Sequence, residues 1–293
     1  MYRTPSVTRS RRLVVSAAAA VATVAVAAPS AAAAPTGIYA DFAGCPTANP
    51  AVVSCLVSDT TSGAIKLGNQ NVPITKTIRL QGGVTQDPET FETGFVNAAN
   101  GKPTLSRTPL KVPGGLTGLI TPEPSWSAPL RSLFYAAVNS VNDVTATAEL
   151  VGPVGFNFGN LLNGDGVSIT LPLRIKLDNP FLGDSCYVGS SGSPVTFRLT
   201  NGTTAPPAGV APLVGDAGQL SFQEDITKLT GQSLVDNTFS APKASGCGGV
   251  FSLIVNPIVN AKIGLPAAAG VSTARLNGDA KIAPASSVAA SNN

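Results

Sequence analysis

The chain has 293 residues, only 12% of them charged against the ~25% usual in soluble proteins, and it contains no histidine. Without histidine, Ser-His-Asp and Cys-His catalysis, histidine-held metals and imidazole pH switches are excluded. The formal charge of +3 arises early: Arg3, Arg9, Arg11 and Arg12 precede every acidic residue, and beyond Ala34 fifteen bases nearly cancel sixteen acids. A near-neutral chain offers no basic footprint for nucleic acid.

Residues 1–34 read as a secretory signal peptide. Arg9, Arg11 and Arg12 form a positive start, Leu13 to Ala28 an uncharged apolar run, and Ser30 to Ala34 a small-residue cleavage region with Pro35 beyond it. The run is alanine-rich and about 16 residues long, short of the ~20 needed to span a bilayer. Ser10-Arg11-Arg12-Leu13-Val14 also resembles a twin-arginine signal, so the export route stays open. No later segment approaches spanning length, so no membrane span is expected after cleavage.

Four cysteines follow: Cys45, Cys55, Cys186 and Cys247. An even count in an exported chain reads as two disulfides with three possible pairings. Cys45–Cys55 and Cys186–Cys247 are favoured, because Pro46, Asn49 and Pro50 turn the chain between the first two. In the chain-entropy model the short loop is worth ~3 kcal/mol and the longer one ~4 kcal/mol. Zinc is not expected, as there is no Cys-x-x-Cys and no histidine.

Val72, Ile74, Ile78 and Leu80 alternate with Thr75, Thr77 and Arg79, which predicts a strand. Leu130, Leu133, Phe134, Ala137, Val138 and Val141 follow helical spacing, with Ser127 as N-cap and Pro129 in the first turn. Val144 to Leu150 alternates again. Phe156, Phe158, Leu161 and Leu162 crowd a Gly/Asn-rich connection, as core plugs or as the lining of a ligand site. Val167 to Leu177 alternates over eleven residues, with Pro172 on the polar side suggesting an edge or bulge. Val195, Phe197 and Leu199 oppose Thr196 and Arg198. Residues 201–218, with Pro206, Pro207 and Pro212, form a linker between two β units or a long loop. Asn256-Pro257 starts a short helix that Gly264 and Pro266 stop, and the preceding run Val250 to Val255 fits strand or helix. A strand runs through Thr273 to Ile282, and residues 283–293 read as a disordered tail. Gly and Pro make up about 20% of the chain after Ala34, which suits many turns between strands.

Candidate chemistry is sparse. Ser240-Ala-Pro-Lys243 has Ser-x-x-Lys spacing, but Pro242 and Gly246 point to a loop and no companion motif is present. Gly189-Ser-Ser-Gly-Ser193 fails the nucleophile-elbow spacing. Asp87, Glu89 and Glu92 cluster, and Glu224-Asp225 form a second pair; a glycosidase needs two such carboxyls facing each other across a sugar. Trp126, the only tryptophan, is the one available to stack a sugar ring. Asn163-Gly-Asp165 and Asp178-Asn179 with Asp184 lack the spacing of a calcium loop and read as turns. Asn201-Gly-Thr203 has the form of a glycosylation acceptor. No catalytic, cofactor-binding or metal-binding residue is assigned.

The segments Thr36 to Leu56, Pro73 to Gly83, Ser233 to Pro242 and Gly246-Cys-Gly-Gly249 resemble a group of uncharacterised secreted proteins of actinobacteria, over nearly the whole chain after the signal. The resemblance implies export and a single unit, and it transfers no functional residue.

The expectation is therefore an all-β protein: β-sandwich-like antiparallel sheets with one or two short packed helices, as a single domain over 35–282. It is expected to be secreted, extracellular or in the cell wall, and to bind an envelope or extracellular partner without catalysis. The alternatives are a carrier of an apolar ligand and, third, a carboxylate-dependent glycoside hydrolase. The intact mass of exported protein should correspond to a chain starting near Ala34 or Pro35; retention of residues 1–30 in that product overturns the signal reading.

Overall fold

A computed structural model describes residues 1–2 and 34–291, so the expected signal segment lies outside the described residues. The described residues from Ala34 onward form one compact unit. After a 3-10 turn at Gly37–Phe42, its elements are β1 (Val52–Leu67), β2 (Gln70–Pro73), β3 (Ile78–Gln86), β4 (Thr93–Asn97), β5 (Leu110–Lys111), α1 (Gly115–Leu119), α2 (Ala128–Ser140), β6 (Thr145–Leu150) and β7 (Gly155–Phe156). There follow α3 (Phe158–Asn163), β8 (Ile169–Asp178), β9 (Tyr187–Val188), β10 (Val195–Leu199), β11 (Gln219–Gln223), β12 (Ile226–Asp236), β13 (Ala244–Ser245), α4 (Ser252–Ile263), β14 (Thr273–Pro284) and α5 (Ala285–Ala290).

Two antiparallel sheets pack face to face as a β-sandwich. The first has the order β11-β12-β14-β1-β3-β4, with β2 added to β1; the second has β13-β9-β8-β6-β5, with β10 and β7 also on β8. β8 is the strand that the alternation predicts. Ile169, Leu171, Leu173, Ile175 and Leu177 are buried and the residues between them are half-buried, as expected of one face turned to a core. Pro172 is tolerated because β6 ends at Leu150, opposite Leu173. Its carbonyl still accepts from Val151 N, while its missing N–H falls one step past the end of the partner strand.

β1 is the long strand at the centre of the first sheet, and its alternation is broken. A register shift between Thr60 and Ser62 inserts a bulge against β14. Gly63 follows at φ +113°, where a Cβ would lie 2.0 Å from the Arg275 carbonyl oxygen, so only glycine fits. The Val72–Leu80 run, expected as one strand, is two: β2 and β3 both pair with β1, separated by a turn.

The main core fills the space between the sheets, and the helices pack onto it. α2 buries Leu130, Phe134 and Ala137, whereas Leu133 and Val141, placed on its apolar face from spacing, are exposed. Trp126 is buried, stacked on Phe181 and edge-on to Phe134, so it is no sugar platform. α4 begins at Ser252, earlier than Asn256-Pro257 suggested. Pro257 lies inside it on the exposed side, and Gly264 caps it in the left-handed region. Asn260 docks α4 on β13 by bonding both N (2.7 Å) and O (2.9 Å) of Ala244. Phe156 and Leu161 are buried in the core, so this stretch is a plug.

A second, smaller core lies around Phe42, Cys45, Cys55, Val57, Ile226, Ala283, Ala285 and Val288. Cys45 is bonded to Cys55 and Cys186 to Cys247, with Cα–Cα distances of 5.4 and 4.1 Å. The two disulfides are compatible with an oxidising compartment. Of the 283–293 tail expected to be disordered, residues 283–291 are ordered and the last two lie outside the described residues. Residues 285–290 form α5, because alanine favours helix and the i, i+3 pair Ala285 and Val288 is buried in this second core. Thr36 Oγ1 donates to Ser291 O (2.9 Å), and Lys281 reaches Asp41 at 2.5 Å. Among the described residues no helix is long and apolar enough to cross a membrane. Val288→Asp would place a charge in the second core and should lower stability by about 3 kcal/mol in urea denaturation; an unchanged midpoint means that α5 adds nothing to the fold.

Candidate functional site

The expected carboxylate clusters do not converge. Asp87, Glu89 and Glu92 lie in the β3–β4 turn, and Glu224 and Asp225 in the β11–β12 turn. β4 and β11 are opposite edges of one sheet, five strand spacings or about 24 Å apart. Asp87 accepts from Thr90 N (2.8 Å) and Glu89 N (2.9 Å), which holds its carboxyl below the ordinary range. Hydrogen bonds from Ser287 and Tyr39 do the same to Asp225, so it links the N-terminal turn to α5. A general acid or base near neutral pH needs the opposite shift.

The other motifs resolve into structure. Ser190 and Ser193 bond each other across a tight turn. Ser240 and Lys243 lie on the non-helical link from β12 to β13. Asn179 spends its amide on Val141 O and Asp143 O and its oxygen on Phe181 N. Asn201 is 3% exposed and donates to Leu161 O, so it presents no acceptor to a glycosylating enzyme. Among the described residues no three His, Cys, Asp or Glu side chains group as metal ligands.

Between the sheets lie two adjoining apolar cavities of about 40 Å³ each, sharing Ile65, Ile78, Ala148, Leu173 and Phe197. Each has room for a few water-sized groups, far below the ~300 Å³ of a small-molecule pocket.

The site with the most built-in order is elsewhere, where the second sheet meets the first. An open cleft of about 470 Å³ is lined by Gly166 and Val167, by Arg198 and Thr200 at the end of β10, by residues 203–207 and by Thr238. Thr200 and Val235 exchange both backbone hydrogen bonds, 3.0 and 2.7 Å, which fastens β10 to β12 across the sandwich. Among the described residues, six of the twelve buried polar or charged ones gather here: Ser168, Thr200, Asn201, Thr204, Asp236 and Asn237. Thr204 Oγ1 donates to Asn237 Oδ1 (2.7 Å) and accepts from Leu213 N (2.8 Å), while Asn237 Nδ2 donates to Ala211 O (2.9 Å). The 201–218 segment is thus a pinned loop crossing between sheets that share one core. Gly202 is required there, since a Cβ would sit 1.8 Å from the Gly164 carbonyl oxygen.

Asp236 lies behind the cleft wall, bonded to Arg198 and Thr238, which line it. Its side chain is fully buried and accepts from Arg198 N (2.6 Å), Thr238 N (2.7 Å) and Thr238 Oγ1 (2.8 Å). Burial pushes its carboxyl above the ordinary range, opposed by those hydrogen bonds. The Arg198 side chain is exposed at the cleft and joins no ion pair among the described residues. Five guanidinium donors beside threonine hydroxyls suit a ligand with anionic or hydroxyl oxygens. Sequence reasoning placed Arg198 on the polar face of a strand and assigned Asp236 no role; a lone acid ending an apolar run, Leu234-Val-Asp236, was the available signal.

Replacing Asp236 by Asn turns an amide N–H₂ toward a backbone donor and should cost about 1–3 kcal/mol at neutral pH. With its raised pKa, the folded carboxyl keeps a proton where the unfolded one has lost it. Wild type therefore gains stability as pH falls through that window and loses it as pH rises. Denaturation from pH 7 to 4 should show the gap between wild type and Asp236→Asn widening on acidification; a constant gap refutes the shift.

Comparison with protein-family models, curated proteins and solved structures finds no match to this chain.

Proposed function

We propose that this chain is an exported, non-catalytic binding protein of the extracellular space or cell wall, and that the Arg198 cleft holds a polar ligand of the envelope bearing anionic or hydroxyl groups. The observation that carries this reading is the cleft itself: an exposed arginine that joins no ion pair among the described residues, beside walls braced from behind by hydrogen-bonded buried polar groups, with the Asp236 carboxylate near enough to feel its charge. Such bracing fixes the walls before a ligand arrives, which lowers the entropy lost on binding. The two disulfides fit an oxidising location, and the signal-like Arg9 to Ala34 segment fits export. The non-catalytic part rests on the acids, since Asp87 and Asp225 are tied into turns and Asp236 is tied to the backbone behind the cleft.

Binding is tested by titration calorimetry of the protein after Ala34 with purified cell-wall polymer fractions, and with polygalacturonate and dextran as acidic and neutral probes. Arg198→Ala should weaken binding about 10- to 100-fold, the value of a charge-assisted hydrogen bond, and leave the fold intact. Equal affinity of wild type and Arg198→Ala, or turnover of glycoside or ester substrates that is lost on changing Glu89, Glu92, Glu224 or Asp225 to the amide, overturns the reading.

A further inference from the structure

The edges of the two sheets are protected unequally. β4 is tied to the second sheet by Thr93, whose hydroxyl bonds Phe156 O and Phe158 N. β13 is capped by Asn260 of α4, and β5 is only two residues long. The chain just before β11 is covered as well, through the bridges Thr203–Val214 and Asp216–Ser233. β11 itself, Gln219-Leu-Ser-Phe-Gln223, is exposed at every position. It has no charge, no proline and no bulge, the devices that normally keep an edge from pairing.

The backbone phase of this edge is fixed. Gln223 pairs with Ile226 across the two-residue turn Glu224-Asp225, with Glu224 at φ +52°. Residues flanking a two-residue turn form a hydrogen-bonded pair, and the pattern alternates from there. Gln219, Ser221 and Gln223 therefore direct their N–H and C=O groups to β12. Leu220 and Phe222 direct theirs outward. Their side chains share the face of Leu229, the buried partner of Leu220, yet overhang the core at 51% and 69% exposure.

We propose that β11 pairs with β11 of a second copy of this chain, antiparallel about a two-fold axis through Ser221, joining the first sheets of two molecules. In this register Leu220 lies opposite the partner's Phe222 and Phe222 opposite the partner's Leu220. These are the residues whose backbone groups point outward, so four N–H···O=C bonds form. The same pairs bring four overhanging apolar side chains together on one face. Gln219 meets the partner's Gln223, and the next step sets Glu224 against the partner's Gly218, so no like charges oppose. A one-residue slip would break both the hydrogen-bond phase and the apolar pairing. The near-palindrome of the five residues thus specifies a self-complementary, isologous contact. A five-residue seam is below the ~1,200 Å² of stable complexes, so the dimer exchanges with monomer.

The test is covalent trapping in the otherwise intact protein after Ala34. Ser221 meets its own copy at a non-hydrogen-bonded position, where Cα atoms approach to about 4.5 Å. Under mild oxidation Ser221→Cys should form an intermolecular disulfide at least about tenfold faster than Gln219→Cys or Gln223→Cys alone, because pairing concentrates the thiols. A mixture of Gln219→Cys and Gln223→Cys should give the mixed dimer, and wild type should show concentration-dependent sedimentation that Phe222→Lys abolishes. Equal rates for the three single variants, or wild type that sediments as a monomer at every concentration, overturn the proposal and leave the edge to a strand from a different partner.

Discussion

The two sheets are held in one relative position by a hydrogen-bonded seam. Apolar faces attract without direction, so the packing of β8 against β1 and β14 leaves the sheets free to slide. The reciprocal bonds between Thr200 and Val235 remove that freedom, and one residue later Asp236 accepts from the backbone of Arg198. β10 and β12 become one rigid corner. The loop from 201 to 218 is then braced by Asn201, Thr204 and Asn237, and the cleft is what remains open between the braced walls.

That corner also explains why the acids divide into two kinds. Asp87 and Asp225, in hairpin turns, are solvated and accept hydrogen bonds that favour their charged form. Asp236 is buried, and burial disfavours its charge. In a chain without histidine it is the acid whose environment departs furthest from water. Its hydrogen bonds run to Arg198 N and to Thr238, so its environment serves architecture, while the Arg198 side chain stays exposed at the cleft.

How much of this the sequence revealed depended on whether one face alone was buried. β8 turns one face to the core and alternates without a break, so it was legible. β1 is covered on both faces, by the main core at Leu56 and by the second core at Cys55 and Val57, and its bulge shifts the phase midway; no simple period survives. β12 is interrupted in the same way between Leu229 and Gln232. α5 is made of alanine and serine with one valine, too little apolar surface to signal burial. The disulfide spacing was informative because the short loop is rich in turn residues. The cleft was not, because Asp236 behind its wall bonds Arg198, 38 residues earlier, and burial created at such range leaves no local pattern.

The pairing of β1 with β14 joins Ser54 to Pro284 and Lys66 to Thr273. The central strand of the first sheet therefore finds the neighbour on one of its sides only at the far end of the chain. Closing so long a loop is slow, because its entropy is lost before any ladder bond compensates. A chain threaded outward from its first residue would wait, unfolded, with β1 unpaired on one side until β14 emerged. The topology thus keeps the sandwich from closing until its last strand is available, and the short Cys45–Cys55 loop is the part that can form first.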